Sequence, residues 1–158
     1  MIPRPRSACP INRSLEMLGD RWSLLILRDI VLHDRRSFRE LLTGSEEGIS
    51  APVLSRRLTD LVEAGFLTKS EVARGKQGRY SLTEQGLATV PLLIELGRLG
   101  AHIDPSTAHN APRLGTDPED LARRIAALRK THLTDGPMPP TTAVPTEDRS
   151  PQGSASQR

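Results

Sequence analysis

Cysteine is all but missing: Cys9 is the single one in 158 residues. One thiol per chain excludes an intrachain disulfide framework and a four-thiolate zinc site. Aromatic residues are also scarce, at 3%, and Trp22, Phe38, Phe66 and Tyr80 account for all of them. Long apolar runs are absent. No stretch approaches the ~18 apolar residues of a membrane span, and the opening MIPRPRSACP has no apolar signal-peptide core. The expectation is a cytoplasmic chain with no membrane partner. His33, His102, His109 and His132 have no metal-site spacing, and the chain has no phosphate-binding glycine loop. No metal or cofactor is expected, and an enzyme reading would rest on Cys9 alone.

The 36% apolar content falls below the ~45–50% of ordinary domains, so part of a one-domain length is expected not to fold. Its location follows from proline. Eight of the 13 prolines lie after Asp104, whereas every aromatic lies between positions 22 and 80. The core is therefore N-terminal, and residues 135–158, rich in Pro, Thr, Ser and Gln, are expected to be disordered. Net charge is small, at +3. It is also concentrated: between Ser50 and Ser81, Arg56, Arg57, Lys69, Arg74, Lys76 and Arg79 face only Asp60, Glu63 and Glu71, which accounts for the whole excess.

Local patterns place that charge on recognisable elements. Ile11 to Leu18 stops at Gly19 and suits a short helix; Asp20 caps a second helix over Arg21 to Leu32, apolar enough to be central. Ser37 with Glu40 is a capping box, and a Gly-rich, acidic turn follows the helix it opens. Ser50 is the next N-cap, with Pro52 in the first turn of a helix running to Ala64. On that helix Leu54, Leu58 and Leu61 share one face, while Pro52, Arg56, Thr59 and Glu63 project from the other. From Phe66 the period changes to two, and the segments around Gly75-Lys76-Gln77-Gly78 read as a hairpin with a basic tip.

After Thr83, a further cap, Pro91 opens a helix ending near Asp104 in which Leu92, Leu96, Leu99 and Ile103 form a heptad-like seam. That seam predicts a dimer contact. Residues 105–116 read as a linker and 117–134 as an accessory amphipathic helix carrying Leu121, Ile125 and Leu128. A mainly α chain with a tight turn, a helix with a free basic face and a basic β-hairpin has the layout of a winged helix-turn-helix. A helix fits the major groove, and a hairpin beside it can neutralise phosphate.

Cys9-Pro10, Gly19-Asp20-Arg21-Trp22, the Leu24 to Leu27 run, Ser37-Phe38-Arg39-Glu40-Leu41 and Gly48-Ile49-Ser50 stand in a familiar order. So do Leu54-Ser55-Arg56-Arg57-Leu58, Leu61 to Leu67, Tyr80 to Gly86 and the stretch from Pro91. Over positions 9 to 104 the chain resembles the HxlR-type winged helix-turn-helix transcriptional regulators of bacteria. The resemblance implies a homodimer that binds double-stranded, pseudo-palindromic operator DNA. By position, the helix from Ser50 is the recognition helix, Phe66 to Leu82 the wing, and the helix after Pro91 the dimer contact. Residues 1–104 would form the DNA-binding and dimerisation domain, with Ser50, Pro52, Ser55, Arg56, Arg57, Thr59, Lys69, Arg74, Lys76 and Arg79 toward DNA.

The resemblance also implies a redox-sensor reading for Cys9, at a helix start with Arg6 and Arg13 near in sequence. The other reading is an inert thiol, with a small-molecule effector or none in place of an oxidant. Two further alternatives stand beside the regulator: a winged-helix protein-interaction module without DNA, and a Cys9-dependent thiol enzyme.

Overall fold

The computed structural model describes residues 6–70, 78–114 and 117–133. Arg74, Lys76 and the tail expected over 135–158 lie outside the described residues. Seven α-helices, a two-stranded sheet and one 3-10 helix make up the described chain, in the order α1 (Pro10–Leu18), α2 (Ser23–His33), α3 (Phe38–Gly44), α4 (Ala51–Glu63), β1 (Leu67–Lys69), β2 (Tyr80–Leu82), α5 (Glu84–Leu87), α6 (Val90–Ile103), the 3-10 helix (Pro105–Leu114) and α7 (Pro118–Leu133). This is a mainly α winged-helix fold with a small hairpin.

The core forms where the apolar periodicities meet. Ile26, Leu27 and Ile30 of α2, Leu41 of α3, Leu54, Leu58 and Leu61 of α4, and Leu87, Val90, Leu93 and Ile94 from α5 and α6 are buried together. At roughly 1.5–3 kcal/mol for each large apolar side chain removed from water, this one cluster supplies the main drive for folding. Helix α2 begins two residues later than its sequence suggests. Asp20 accepts hydrogen bonds from the backbone N–H groups of Trp22 (2.8 Å) and Ser23 (3.0 Å), so these donors close a turn before the first helical residue.

The Ser37–Glu40 capping box is present, with both reciprocal bonds made. Ser50 occupies the N-cap of α4 without a side-chain cap bond, which leaves its hydroxyl outward. Helix α4 ends in a Schellman turn: Gly65 N–H donates to Val62 O (3.0 Å) and Phe66 N–H to Leu61 O (2.9 Å). Gly65 has φ +79°, in the left-handed region where a side chain is strained. The chain leaves this turn directly into β1, which pairs antiparallel with β2 in the register Leu67↔Leu82, Thr68↔Ser81, Lys69↔Tyr80.

Thr83 then caps α5, accepting from Gly86 N–H (3.0 Å) while its hydroxyl donates to Gly65 O (2.6 Å). A Cβ on Gly86 would stand 2.2 Å from Phe66 O, so only glycine lets α5 sit this close to the hairpin base. Beyond α6, the segment read as a linker carries the 3-10 helix, opened by Asp104, whose Oδ1 accepts from Ser106 N–H at 3.0 Å. Helix α7 lays Leu121, Ile125, Leu128 and Leu133 against the core cluster. A cavity of about 190 Å³ lies between the start of α7 and α6, lined by Pro91, Ile94, Glu95, Arg98, Asp117, Pro118 and Leu121.

Candidate nucleic-acid interface

The interface is built on α4. Its leucines at every third or fourth position are buried, which turns Pro52, Ser55, Arg56 and Thr59 outward as exposed residues. Thr59 Oγ1 donates to Ser55 O (3.1 Å), and the Arg56 guanidinium extends from the same face. A helix presenting short polar side chains and one arginine can enter a major groove and reach base edges.

Arg57 is placed differently from Arg56. It is half-buried, with Nη1 3.1 Å from Asp60 Oδ2 and 3.5 Å from Asp20 Oδ2. Asp20 is the group that closes the turn before α2, so Arg57 ties the middle of α4 to that turn. The hydrogen bond from Ser23 and those from the two backbone N–H groups, with the Arg57 charge, keep the Asp20 carboxyl below its ordinary range against the opposing effect of burial.

Two other long-range pairings set α4 and the hairpin. Glu47, in the turn before α4, accepts from Arg28 Nη1 (2.6 Å) and Nη2 (2.9 Å), and Arg28 also bonds the buried Asp29. This fork holds the Glu47 carboxyl below the usual carboxylate range and pushes the Arg28 guanidinium higher still. Arg36, itself buried, donates from Nε to Tyr80 O (3.1 Å) and from Nη2 to Ser81 Oγ, while Tyr80 N–H donates to Arg36 O (2.7 Å). Ser37 and Arg79 form a β-bridge beside it, so the start of α3 is joined to the hairpin.

The hairpin therefore stands in a fixed relation to the helix pair. Arg79 is exposed, its Nη2 4.0 Å from Asp34, and Lys69 Nζ lies 5.7 Å from the centre of the Tyr80 ring. Arg39, on the exposed side of the first turn of α3, adds a cation that charge counting between Ser50 and Ser81 does not include. Neither the Arg28–Glu47 fork nor the Arg36 clamp has a sequence signal, since their partners are 19 and 44 residues apart.

On α6, Val90, Leu93 and Ile94 take the core side, and Leu92 (41%), Leu96 (40%), Leu99 (52%) and Ile103 (72%) are left exposed. Ile11 (69%) and Leu15 (61%) of α1 are exposed as well; of the i, i+3 pair Leu15 and Leu18, only Leu18 enters the core. Cys9 is exposed at the N-cap of α1, and the arginines near it both turn to Glu16: Arg6 Nε at 3.0 Å and Arg13 Nη1 at 3.2 Å. A hydrogen bond from the Arg6 backbone N–H, with those from the Arg6, Asn12 and Arg13 side chains, draws the Glu16 carboxyl down to about 2. Among the described residues no group of three or more His, Cys, Asp or Glu could hold a metal ion, and no helix is long and apolar enough to cross a membrane.

Residues 17–107 match the family described as HxlR-like helix-turn-helix. An HTH-type transcriptional regulator of Synechocystis sp. (strain ATCC 27184 / PCC 6803 / Kazusa) is 31% identical over 94 residues, 59% of this chain and 68% of that protein. One from Mycobacterium bovis is 37% identical over 91 residues, and there the match spans 55% of this chain and 56% of the relative. Two crystal structures are similar. PA1607, solved as a candidate transcription factor, superposes with a TM-score of 0.55 at 32% identity, covering 63% of this chain and 67% of that one. A candidate MarR-family regulator from Porphyromonas gingivalis W83 gives 0.53 at 26% identity, covering 62% and 95%.

Proposed function

The chain belongs to the HxlR-like helix-turn-helix family, and from that premise we propose that it regulates transcription by binding double-stranded operator DNA as a homodimer. One observation carries the reading: α4 buries its leucines and leaves Pro52, Ser55, Arg56 and Thr59 exposed, while Arg79 stands exposed on the hairpin joined to the same helix pair. In this arrangement α4 enters the major groove and Arg56 reaches a base edge. Ser50, at the helix start, and the hairpin cations Lys69 and Arg79, together with Arg74 and Lys76, meet the backbone. Arg57, held by Asp20 and Asp60, serves the interface by orienting α4.

The exposed row Leu92, Leu96, Leu99 and Ile103 supports pairing of two chains through α6. Nothing in this reading calls for catalysis. A regulator of this type works where the chromosome is, in the cytoplasm. The signal it answers to is an oxidant acting at the exposed Cys9 or a small molecule, and the Cys9 test below separates these.

Selection of bound duplexes from a random pool tests the proposal. The expected product is an inverted repeat with half-site centres roughly 10–10.5 bp apart or a multiple of that, since two-fold related helices must enter grooves on one side of the duplex. Affinity should fall steeply with salt, at about −0.9 in log K per log[salt] for each phosphate neutralised. Failure to enrich any duplex, with affinity independent of salt, overturns the reading in favour of a protein-interaction module.

A further inference from the structure

Helix α7 lies beyond the family-matched segment, yet its last turn is built into the hairpin. His132 is fully buried, and its Nδ1 accepts a hydrogen bond from the backbone N–H of Leu82, at 3.2 Å. One turn earlier, Arg129 forks onto Glu84 of α5, Nε at 2.8 Å and Nη2 at 2.7 Å. Leu82 is the last residue of β2, and β2 also carries Tyr80 and Ser81, which Arg36 grips; the backbone groups of Tyr80 and Leu82 share the edge of β2 away from β1. The strand is therefore fixed at one end by α7 and along its length by the α2–α3 connection.

An imidazole nitrogen that accepts an N–H bond carries no proton, so the docked ring is neutral. A side chain without an acceptor at this place would leave the Leu82 N–H unpaired in a buried site.

We propose that His132 is a positioning residue for DNA binding: a buried acceptor that holds β2, and through it the wing, in place. Its position relative to DNA rests on the wing reading given above, but its action on β2 does not.

The test uses the full chain. Amide hydrogen exchange at Leu82 should be about tenfold faster in His132→Leu than in the wild type, as expected when a buried donor loses its acceptor. His132→Asn, whose side-chain oxygen replaces Nδ1, should keep Leu82 protected. Affinity for a 30-bp random-sequence duplex should fall severalfold in His132→Leu and stay level in His132→Asn. Unchanged Leu82 exchange in His132→Leu, or equally fast exchange in His132→Asn, overturns the clamp. Faster Leu82 exchange with no change in duplex affinity overturns the positioning role. Should the wild type bind no duplex, the DNA reading fails, and Leu82 exchange still decides whether His132 holds the strand.

Discussion

Asp20 Oδ2 lies 3.5 Å from Arg57 Nη1, joining the turn that opens α2 to the middle of α4, the proposed recognition helix. Of two adjacent arginines, one is thereby held by the fold and the other is left to the ligand. Arg57→Gln should lower duplex affinity while leaving the salt slope unchanged, because no phosphate contact is removed. Its stability cost should be about 0.5–1 kcal/mol, the range of a partly exposed ion pair. A slope that shallows as much as for a hairpin lysine would place Arg57 on phosphate instead.

Arg56 and Arg79 should separate in the opposite way. Arg56→Ala is expected to lose about 1–3 kcal/mol on the selected duplex and relax preference at one position in each half-site. Arg79→Ala should weaken all duplexes alike and reduce the salt slope by about 1 per site. Anisotropy titrations on selected and scrambled duplexes at three salt concentrations distinguish the two patterns.

The exposed row on α6 makes a prediction about assembly. Leu96→Asp places a carboxylate among Leu92, Leu99 and Ile103, and if these meet a second chain the buried charge costs several kcal/mol. Light scattering should then report monomers with native helix content. A dimer of unchanged stability would move the contact elsewhere, with Ile11 and Leu15 of α1 the next surface to substitute.

Acid stability should depend on the Arg28–Glu47 fork. The Arg28 hydrogen bonds hold the Glu47 carboxyl below its ordinary 4.5. A depressed carboxyl stabilises the fold fully above the unfolded pKa, and this stabilisation is lost as pH falls through the lower folded value. Glu47→Gln should therefore destabilise at neutral pH and flatten the loss of stability between about pH 5 and 3. Urea midpoints across that range give the measurement; parallel curves for the two proteins would show that the fork contributes nothing.

Cys9 is open to reagents, and its two readings part cleanly. If it carries the signal, mild diamide changes duplex affinity in the wild type and leaves Cys9→Ser untouched. With one thiol per chain, the oxidised product is an interchain disulfide or a mixed disulfide with a small thiol, which mass spectrometry under non-reducing conditions identifies. An identical response in Cys9→Ser would leave the thiol inert and direct the search to a small-molecule effector.

The helices and their faces were legible because their causes are local. Leu54, Leu58 and Leu61 recur with the helical period, Ser37 and Glu40 sit three residues apart, and Thr83 and Pro91 mark helix starts by their own chemistry. Such signals need only the neighbouring backbone, and so the outward residues of α4 could be named in advance. What those neighbours cannot encode is which arginine a distant carboxylate or carbonyl will capture. Arg57 on Asp20, Arg28 on Glu47, Arg36 on Tyr80 and His132 on Leu82 each join segments far apart in the chain. Before packing, each of those three arginines is equivalent to Arg56 or Arg79. Only when the leucine faces close on one another do the cations near a buried acceptor become part of the frame, while those left on the rim remain exposed for the nucleic acid.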